Sequence, residues 1–211
     1  MYDNILYEEE LETKASNFIP FYKTANPRIF KPILSDLKYD ICFPANFTQL
    51  RYKNQERFIA QISESEYLKT LKIVSVGNKP EIGKNLCKKY GVTNIEFKGH
   101  LDRPGVNKVL NQSKFGLCYS NRLDGTPRVI TEILCSGTPL LLFNKTRCLK
   151  YYKYKGIGVI EFTEKNLEDR IRKANGIYES FKNEALMNIE NLYPSKICRL
   201  NWSIWKQKIK G

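Results

Sequence analysis

Short apolar runs alternate along the chain with segments in which apolar residues recur every three or four positions. The runs predict buried strands, at 39–45, 71–77, 95–97, 115–119, 139–143 and 158–162. The intervening segments predict helices, at about 54–68, 80–90 and 127–136 and around Val106, Val109 and Leu110. Short strands that alternate with helices indicate βα units, which assemble into a parallel sheet. The sequence therefore predicts a Rossmann-like α/β fold, with helices on both faces of a parallel sheet.

The two ends of the chain differ from this regular middle. Residues 1–38 open with an acidic stretch and continue with three prolines, which favours a lead-in and linker. Residues 39–176 carry the alternation and are predicted to form one domain. Residues 177–211 keep a helical spacing of apolar residues and predict a helical tail that packs on that domain.

Bulk composition narrows the class of protein. A chain of 211 residues with 42% hydrophobic content can bury a core without disulfides or metals. No apolar run approaches the ~20 residues of a membrane span, and the first residues lack the apolar h-region of a signal peptide. The six cysteines form no C-x-x-C pair, and His100 is the single histidine, so no zinc spacing can be assembled. These features predict a cytoplasmic protein with reduced cysteines.

The charge is strongly positive and unevenly placed. The net charge is +13, although residues 1–13 hold five acidic residues and no Lys or Arg. A positive field of this kind favours anionic ligands. These include nucleotide phosphates, nucleic acid and acidic membrane surfaces, which the protein would contact peripherally. A lysine-rich solvated surface explains the same charge. No nucleic-acid motif or pattern of stacking aromatics appears, so no specific nucleic-acid partner is predicted.

The most informative segment follows the strand predicted at 115–119 and runs from Asp124 to Pro139. Thr126 suits the N-cap of a helix and Pro127 its first position, and Gly137 suits its end. The start of such a helix presents backbone N–H groups and a partial positive charge, so it predicts an anion site.

Arg128 and Glu132 lie one turn apart on this predicted helix. In one interpretation they form an i, i+4 ion pair worth ~0.3–0.5 kcal/mol. In the other, Arg128 faces a phosphate and Glu132 accepts hydrogen bonds from ribose hydroxyls. The spacing alone favours the ion pair.

The pattern D-G-T-P-R-V-x-x-E, continued by G-T-P at 137–139, resembles the acidic-x7-Glu motif of retaining glycosyltransferases of family 4. Those enzymes pair two Rossmann-like domains in the B-type fold, with the donor site on the C-terminal domain. Asn94–His100 resembles the family's strand–glycine segment beside the base, and Leu71–Asn78 resembles its second donor-domain strand and loop. The resemblance covers roughly 40–175. It implies that the chain is one half of a B-type fold, the donor-binding half.

The resemblance also implies roles for individual residues. Glu132 would bind the ribose, and Asp124, the predicted catalytic residue, would contact the donor sugar as transfer begins. Asp124 departs from the family's more frequent Glu and has a shorter reach. The sugar and diphosphate would lie against the backbone between these two acids, at Gly125, Thr126, Pro127, Arg128 and Val129.

Three basic residues complete the predicted site. Lys53 matches the family's diphosphate-binding lysine, whereas the position of the family's arginine is taken by Asn46 or a neighbour, so that Arg51 is the nearest guanidinium. Lys53 and Arg51 are alternatively two solvated surface charges. His100 suits either solvent exposure or contact with the nucleotide, and no catalytic-base role is expected of it.

Taken with the resemblance, the sequence predicts a glycosyltransferase that moves a sugar from a nucleotide-sugar donor to a sugar or glycan acceptor, with retention and without a metal or other cofactor. Residues 1–40 are too short for an acceptor domain, so a separate domain or a second copy of the chain would have to supply one. The alternative from another class is a non-catalytic binding module for a nucleotide, nucleic acid or an anionic surface.

Overall fold

A computed structural model of the chain describes residues 24–49, 53–121, 127–146 and 158–210. Its centre is a parallel sheet with the strands β1 Tyr39–Pro44, β2 Ile73–Val76, β3 Ile95–Phe97, β4 Ser113–Cys118, β5 Leu140–Phe143 and β6 Val159–Phe162. Their order in the sheet is β3-β2-β1-β4-β5-β6, and every neighbouring pair is parallel. This is the Rossmann strand order. The predicted fold class and the predicted strands are confirmed.

The described helices connect and cover these strands. They are α1 Gln55–Glu64, α2 Glu66–Thr70, α3 Pro80–Tyr90, α4 Arg103–Asn111, α5 Arg128–Cys135, α6 Leu167–Gly176, α7 Tyr178–Met187 and α8 Pro194–Lys210, with 3-10 turns at Phe47–Gln49 and Ile189–Leu192. No helix within the described ranges is long and apolar enough to cross a membrane.

One predicted helix was too long, and the predicted helical tail consists of separate elements. The helix predicted at 54–68 is broken at Ser65, whose backbone is extended and whose hydroxyl accepts the Leu68 N–H at 3.0 Å to cap α2. The tail is likewise divided between α7, the second 3-10 turn and α8. Apolar spacing continues through both breaks, which explains why periodicity alone joined the pieces.

The sheet separates two apolar cores. Side chains alternate between its faces, so Ile41 and Phe43 of β1 enter one core with Phe58 of α1, while Cys42 enters the other with Ile130 of α5. The predicted covering of both faces by helices is therefore confirmed.

Helix α5 lies unusually close to β4. A Cβ placed on Gly116 of β4 would come within 2.5–2.8 Å of the Ile133 side chain of α5. Only the absence of a side chain at Gly116 permits this approach, and it fixes the helix against the strand.

Residues 24–38, predicted as part of a linker, are anchored to the domain by buried side chains near Phe30 and by backbone hydrogen bonds, although most side chains of 31–38 are exposed. Phe30 is 1% exposed, and the Lys31 and Ile33 N–H groups donate to the side-chain oxygens of Asn107 at 3.2 Å and Asn111 at 2.9 Å. Both asparagines lie on α4. Prolines suggested an extended segment, but buried side chains of α4 supply partners for its backbone.

Candidate functional site

The strand order reverses between β1 and β4. The chain leaves β1 toward β2 on one side and leaves β4 toward β5 on the other, so the connections diverge at this point. In open parallel sheets, ligands bind in the crevice beyond the carboxyl ends of the strands where this happens. Here those ends are Pro44 and Cys118, and the space beyond them is called the β1/β4 crevice below.

Loops from three strands meet at the crevice. The Lys53 Nζ, just before α1, donates to the Ser120 hydroxyl at 3.3 Å, and the Asn54 Nδ2 donates to the Tyr119 carbonyl at 2.8 Å. Thr146, beyond β5, donates its hydroxyl proton to the Ser120 carbonyl at 2.6 Å. The segment after β4 is therefore hydrogen-bonded to residues that precede α1 and to a residue that follows β5, and the Lys53 ammonium contacts it directly.

Helix α5 begins beyond this segment. Pro127 is its N-cap and Arg128 its first residue, so the helix starts one position later than predicted. Thr126, predicted as the N-cap, lies outside the described residues. Gly137 follows the C-cap with a φ of +70°, in the left-handed region that glycine adopts without strain. The prediction that Gly137 ends the helix is confirmed.

Glu132, on the second turn of α5, has an unusual electrostatic environment. Burial raises the pKa of this half-buried carboxyl, while attraction from Arg128, Arg103 and Lys53 opposes the rise. Among the ion pairs within the described ranges, none joins Arg128 to Glu132 within 4.0 Å. The ion pair that the spacing favoured is therefore absent from the structure, and Glu132 lies among three cations.

The other predicted site residues divide into three groups. Pro127 is buried, Val129 half-buried and Arg128 exposed, all at the start of α5. His100 is exposed and lies beyond the carboxyl end of β3, which is two strands away from β1 in the sheet. The positions of the remaining predicted residues lie outside the described ranges: Arg51, Asp124, Gly125 and Thr126.

Arg103 is a residue that the sequence analysis missed. It is the first residue of α4, follows the loop after β3, and attracts Glu132 electrostatically. The sequence signal is Asp102, a residue type favoured at helix N-caps, directly before Arg103-Pro104. In the structure Asp102 accepts the Gly105 N–H at 2.8 Å. An exposed cation in the first turn of a helix is disfavoured by the helix dipole by only ~0.3–1 kcal/mol, and Arg103 shares this position with Arg128 of α5.

A metal centre has no candidate within the described part of the chain. No group of three or more His, Cys, Asp or Glu side chains there is arranged to hold a metal ion. The expectation of metal-independent chemistry stays a prediction.

The family of the chain follows from comparison with known proteins. Residues 28–183 match the model of the glycosyl transferases group 1 family, which covers well over half of the chain. The chain belongs to this family. No curated protein sequence matches it significantly. The narrower assignment to family 4 stays a prediction.

Solved structures support the fold in the same way. Sucrose-phosphate synthase from Thermosynechococcus elongatus is similar with a TM-score of 0.67 and 15% identity, over 91% of this chain and 52% of that one. HepE from Anabaena, in complex with UDP and glucose, has a TM-score of 0.67 and 14% identity, over 89% and 55%. WaaG, a glycosyltransferase involved in lipopolysaccharide biosynthesis, has a TM-score of 0.60 and 22% identity, over 79% and 47%. The chain spans about half the length of these proteins and has the fold of one half of a B-type glycosyltransferase.

Proposed function

We propose that the chain is the donor-binding domain of a glycosyltransferase and binds the nucleoside diphosphate part of a nucleotide sugar in the β1/β4 crevice. The observation that carries this proposal is the convergence of Lys53, Glu132 and the start of α5 at the point where the strand order reverses. A phosphate-binding cation, a helix N-terminus and a hydrogen-bond acceptor are the groups that such a ligand requires.

Each group has a distinct task in this proposal. The Lys53 ammonium and the first N–H groups of α5 meet the diphosphate, and they stabilise the negative charge that grows on it as the bond to the sugar breaks. Glu132 accepts hydrogen bonds from the ribose hydroxyls. Asp124 orients the donor sugar. No metal is required, because these groups supply the positive charge.

The acceptor has to be held by something other than this domain. The chain spans 47–55% of the length of the neighbours described above, so a second domain or a second copy of the chain would carry the acceptor site. Orientation of two reactants is worth ~7–11 kcal/mol of a barrier. We therefore expect the 211-residue chain alone to bind donor, to hydrolyse it slowly, and to transfer sugar poorly. Transfer with retention is part of the same proposal.

Calorimetry with UDP, GDP and ADP, each with and without EDTA, tests the binding step. UDP is the first probe, since HepE was crystallised with it. We expect one of the three nucleotides to bind in EDTA, and Lys53→Met to weaken that binding by about 1.5–3 kcal/mol, the range for hydrogen bonds to charged groups.

Lys69→Met is the matched control, because it removes the same charge from an exposed lysine on α2. Lys69 lies at the amino ends of the strands, whereas the crevice lies at their carboxyl ends. If both substitutions weaken binding equally and added salt abolishes it, the chain is a polyanion-binding module and the proposal is wrong. Binding that EDTA removes and Mg²⁺ restores would refute the metal-independent part.

A further inference from the structure

Asn54 has a backbone conformation that is uncommon for residues other than glycine. Its φ of 51° and ψ of 33° lie in the left-handed region, which among the described non-glycine residues only Lys79 shares, with a φ of 60°. Asparagine tolerates this region better than most residues do, but at a cost that the surrounding structure has to offset. Unusual backbone of this kind concentrates at functional sites.

The side chain of Asn54 does not perform the usual task of its position. Asn54 is the N-cap of α1, where an asparagine oxygen normally accepts an N–H from the first helical turn. Asn54 makes no such bond. Its Nδ2 instead donates to the Tyr119 carbonyl, 65 positions along the chain, at 2.8 Å. The side chain therefore links the start of α1 to the end of β4 across the crevice.

Lys53 immediately precedes Asn54 and contacts the residue that immediately follows Tyr119. Two consecutive residues before α1 thus bond two consecutive residues after β4, Asn54 to Tyr119 and Lys53 to Ser120. The left-handed turn at Asn54 sets the direction in which the chain enters α1, and the bond to Tyr119 fixes the distance between the loops. Together they constrain the backbone from which the Lys53 side chain reaches Ser120.

We propose that Asn54 is a positioning residue that holds the Lys53 ammonium in the β1/β4 crevice for the diphosphate of the donor. This inference rests on the proposed function and extends it to a residue that contacts no ligand. The two constraints at Asn54 are separable, because glycine keeps the left-handed backbone without strain and lacks only the side-chain bond. Asn54→Gly consequently removes the link between the loops and leaves the turn.

The test is a double-mutant cycle on UDP binding, repeated with GDP and ADP. We expect Asn54→Gly to raise the dissociation constant about tenfold. In the Lys53→Met background the same substitution should change it less than about twofold, because the group that Asn54 positions is then gone. An effect of equal size in both backgrounds, or none in the parent, would overturn the inference.

Lys79→Gly is the matched control. It places glycine in the same left-handed conformation at the N-cap of α3, where the lysine side chain is exposed and lies 3.8 Å from Glu81. It should leave UDP binding unchanged while it reports the effect of such a substitution on Tm. If Lys79→Gly weakens binding as much as Asn54→Gly does, the loss is a general consequence of loosening a helix start and the inference fails.

A second readout needs no nucleotide. Reductive ¹³C-methylation of the lysines gives each dimethylamine an NMR signal, and Lys53→Arg assigns that of Lys53. We expect the Lys53 signal to shift and sharpen in Asn54→Gly, and to be unmoved in Lys79→Gly. An unmoved Lys53 signal in Asn54→Gly refutes the positioning role even where no nucleotide binds. Failure of UDP, GDP and ADP to bind the parent chain refutes the proposed function separately.

Discussion

Lysines and a glutamate lie at both ends of the parallel strands, yet the two regions are organised differently. The side of the sheet at the amino ends of the strands is called the amino edge, and the side at their carboxyl ends is called the carboxyl edge. At the amino edge, Lys38, Lys69 and Lys72 line an open groove of about 540 Å³ together with Glu96. Glu96 is exposed and hydrogen-bonded to Lys98 at 2.5 Å, and that bond, with a second from Tyr39, lowers its pKa. At the carboxyl edge, burial raises the pKa of Glu132.

The state of the carboxyl group distinguishes the two regions, whereas both of them carry lysines. At the amino edge Lys69 pairs with Glu66 at 2.6 Å and Lys98 pairs with Glu96, and such exposed pairs contribute only ~0.2–1 kcal/mol. At the crevice a carboxyl is desolvated among cations that do not pair closely with it. A group kept in an unfavourable state in this way is typical of a binding or catalytic site.

The largest expected effect comes from Glu132→Gln. Loss of the ionised acceptor should weaken binding of the preferred nucleotide by about 1.5–3 kcal/mol. Glu96→Gln, the same change at the amino edge, should leave the affinity unaltered. Calorimetry on both variants makes the comparison, and equal affinities for Glu132→Gln and the parent would contradict the ribose-binding role.

Next in size is Gly116→Ala, which acts on the helix that carries Glu132. The added methyl would lie about 2.5 Å from Ile133, and overpacking of this kind costs ~1–3 kcal/mol of stability. Because α5 has to move away from β4, we expect nucleotide affinity to fall as well as the free energy of unfolding. Urea denaturation and calorimetry measure the two quantities. An alanine variant that is as stable as the parent would show that the close approach of α5 to β4 is not required.

Glu132→Gln should also have a smaller effect on stability at neutral pH. We expect this substitution to raise the stability although it lowers the nucleotide affinity. The folded state raises the pKa of Glu132 above its unfolded value, so the free energy of unfolding falls as pH rises between the two values. Above that interval the buried carboxylate remains a cost. Glu132→Gln should therefore have a higher Tm than the parent at pH 7, and lose this advantage below about pH 4. A lower Tm at pH 7 would show that Glu132 is part of a stabilising ion pair after all.

The smallest effect is expected for Glu96→Gln, which should lower the stability at pH 7 where Glu132→Gln raises it. Its pKa is lowered in the folded state, so its contribution to stability is present above the unfolded value and is lost as pH falls through the folded one. Glu96→Gln should lower the free energy of unfolding at pH 7 by less than ~1 kcal/mol, since the carboxyl is exposed. Thermal melts of both glutamine variants across pH should therefore diverge in opposite directions from the parent. Parallel curves would remove the distinction between the two edges.

The sequence by itself determined the features that depend on neighbouring residues. The strands and the end of α5 at Gly137 follow from apolar periodicity and from the conformational freedom of glycine, both of which are short-range properties. The segment 124–139 carried enough of a family pattern to indicate the donor-binding half of the fold. The ends of elements were less certain: Ser65 broke a predicted helix, and α5 started at Arg128.

The tertiary structure alone decided which of these local features meet. Asn54 lies next to Tyr119 because β1 and β4 are neighbours in the sheet, and Arg103 acts on Glu132 because α4 and α5 pack against each other. Nothing in the spacing of these residues encodes that proximity. The spacing of Arg128 and Glu132 favoured a surface ion pair, whereas burial of Glu132 among three cations is a property of the assembled sheet edge. Desolvation depends on every element that packs around a group, so a local pattern cannot specify it.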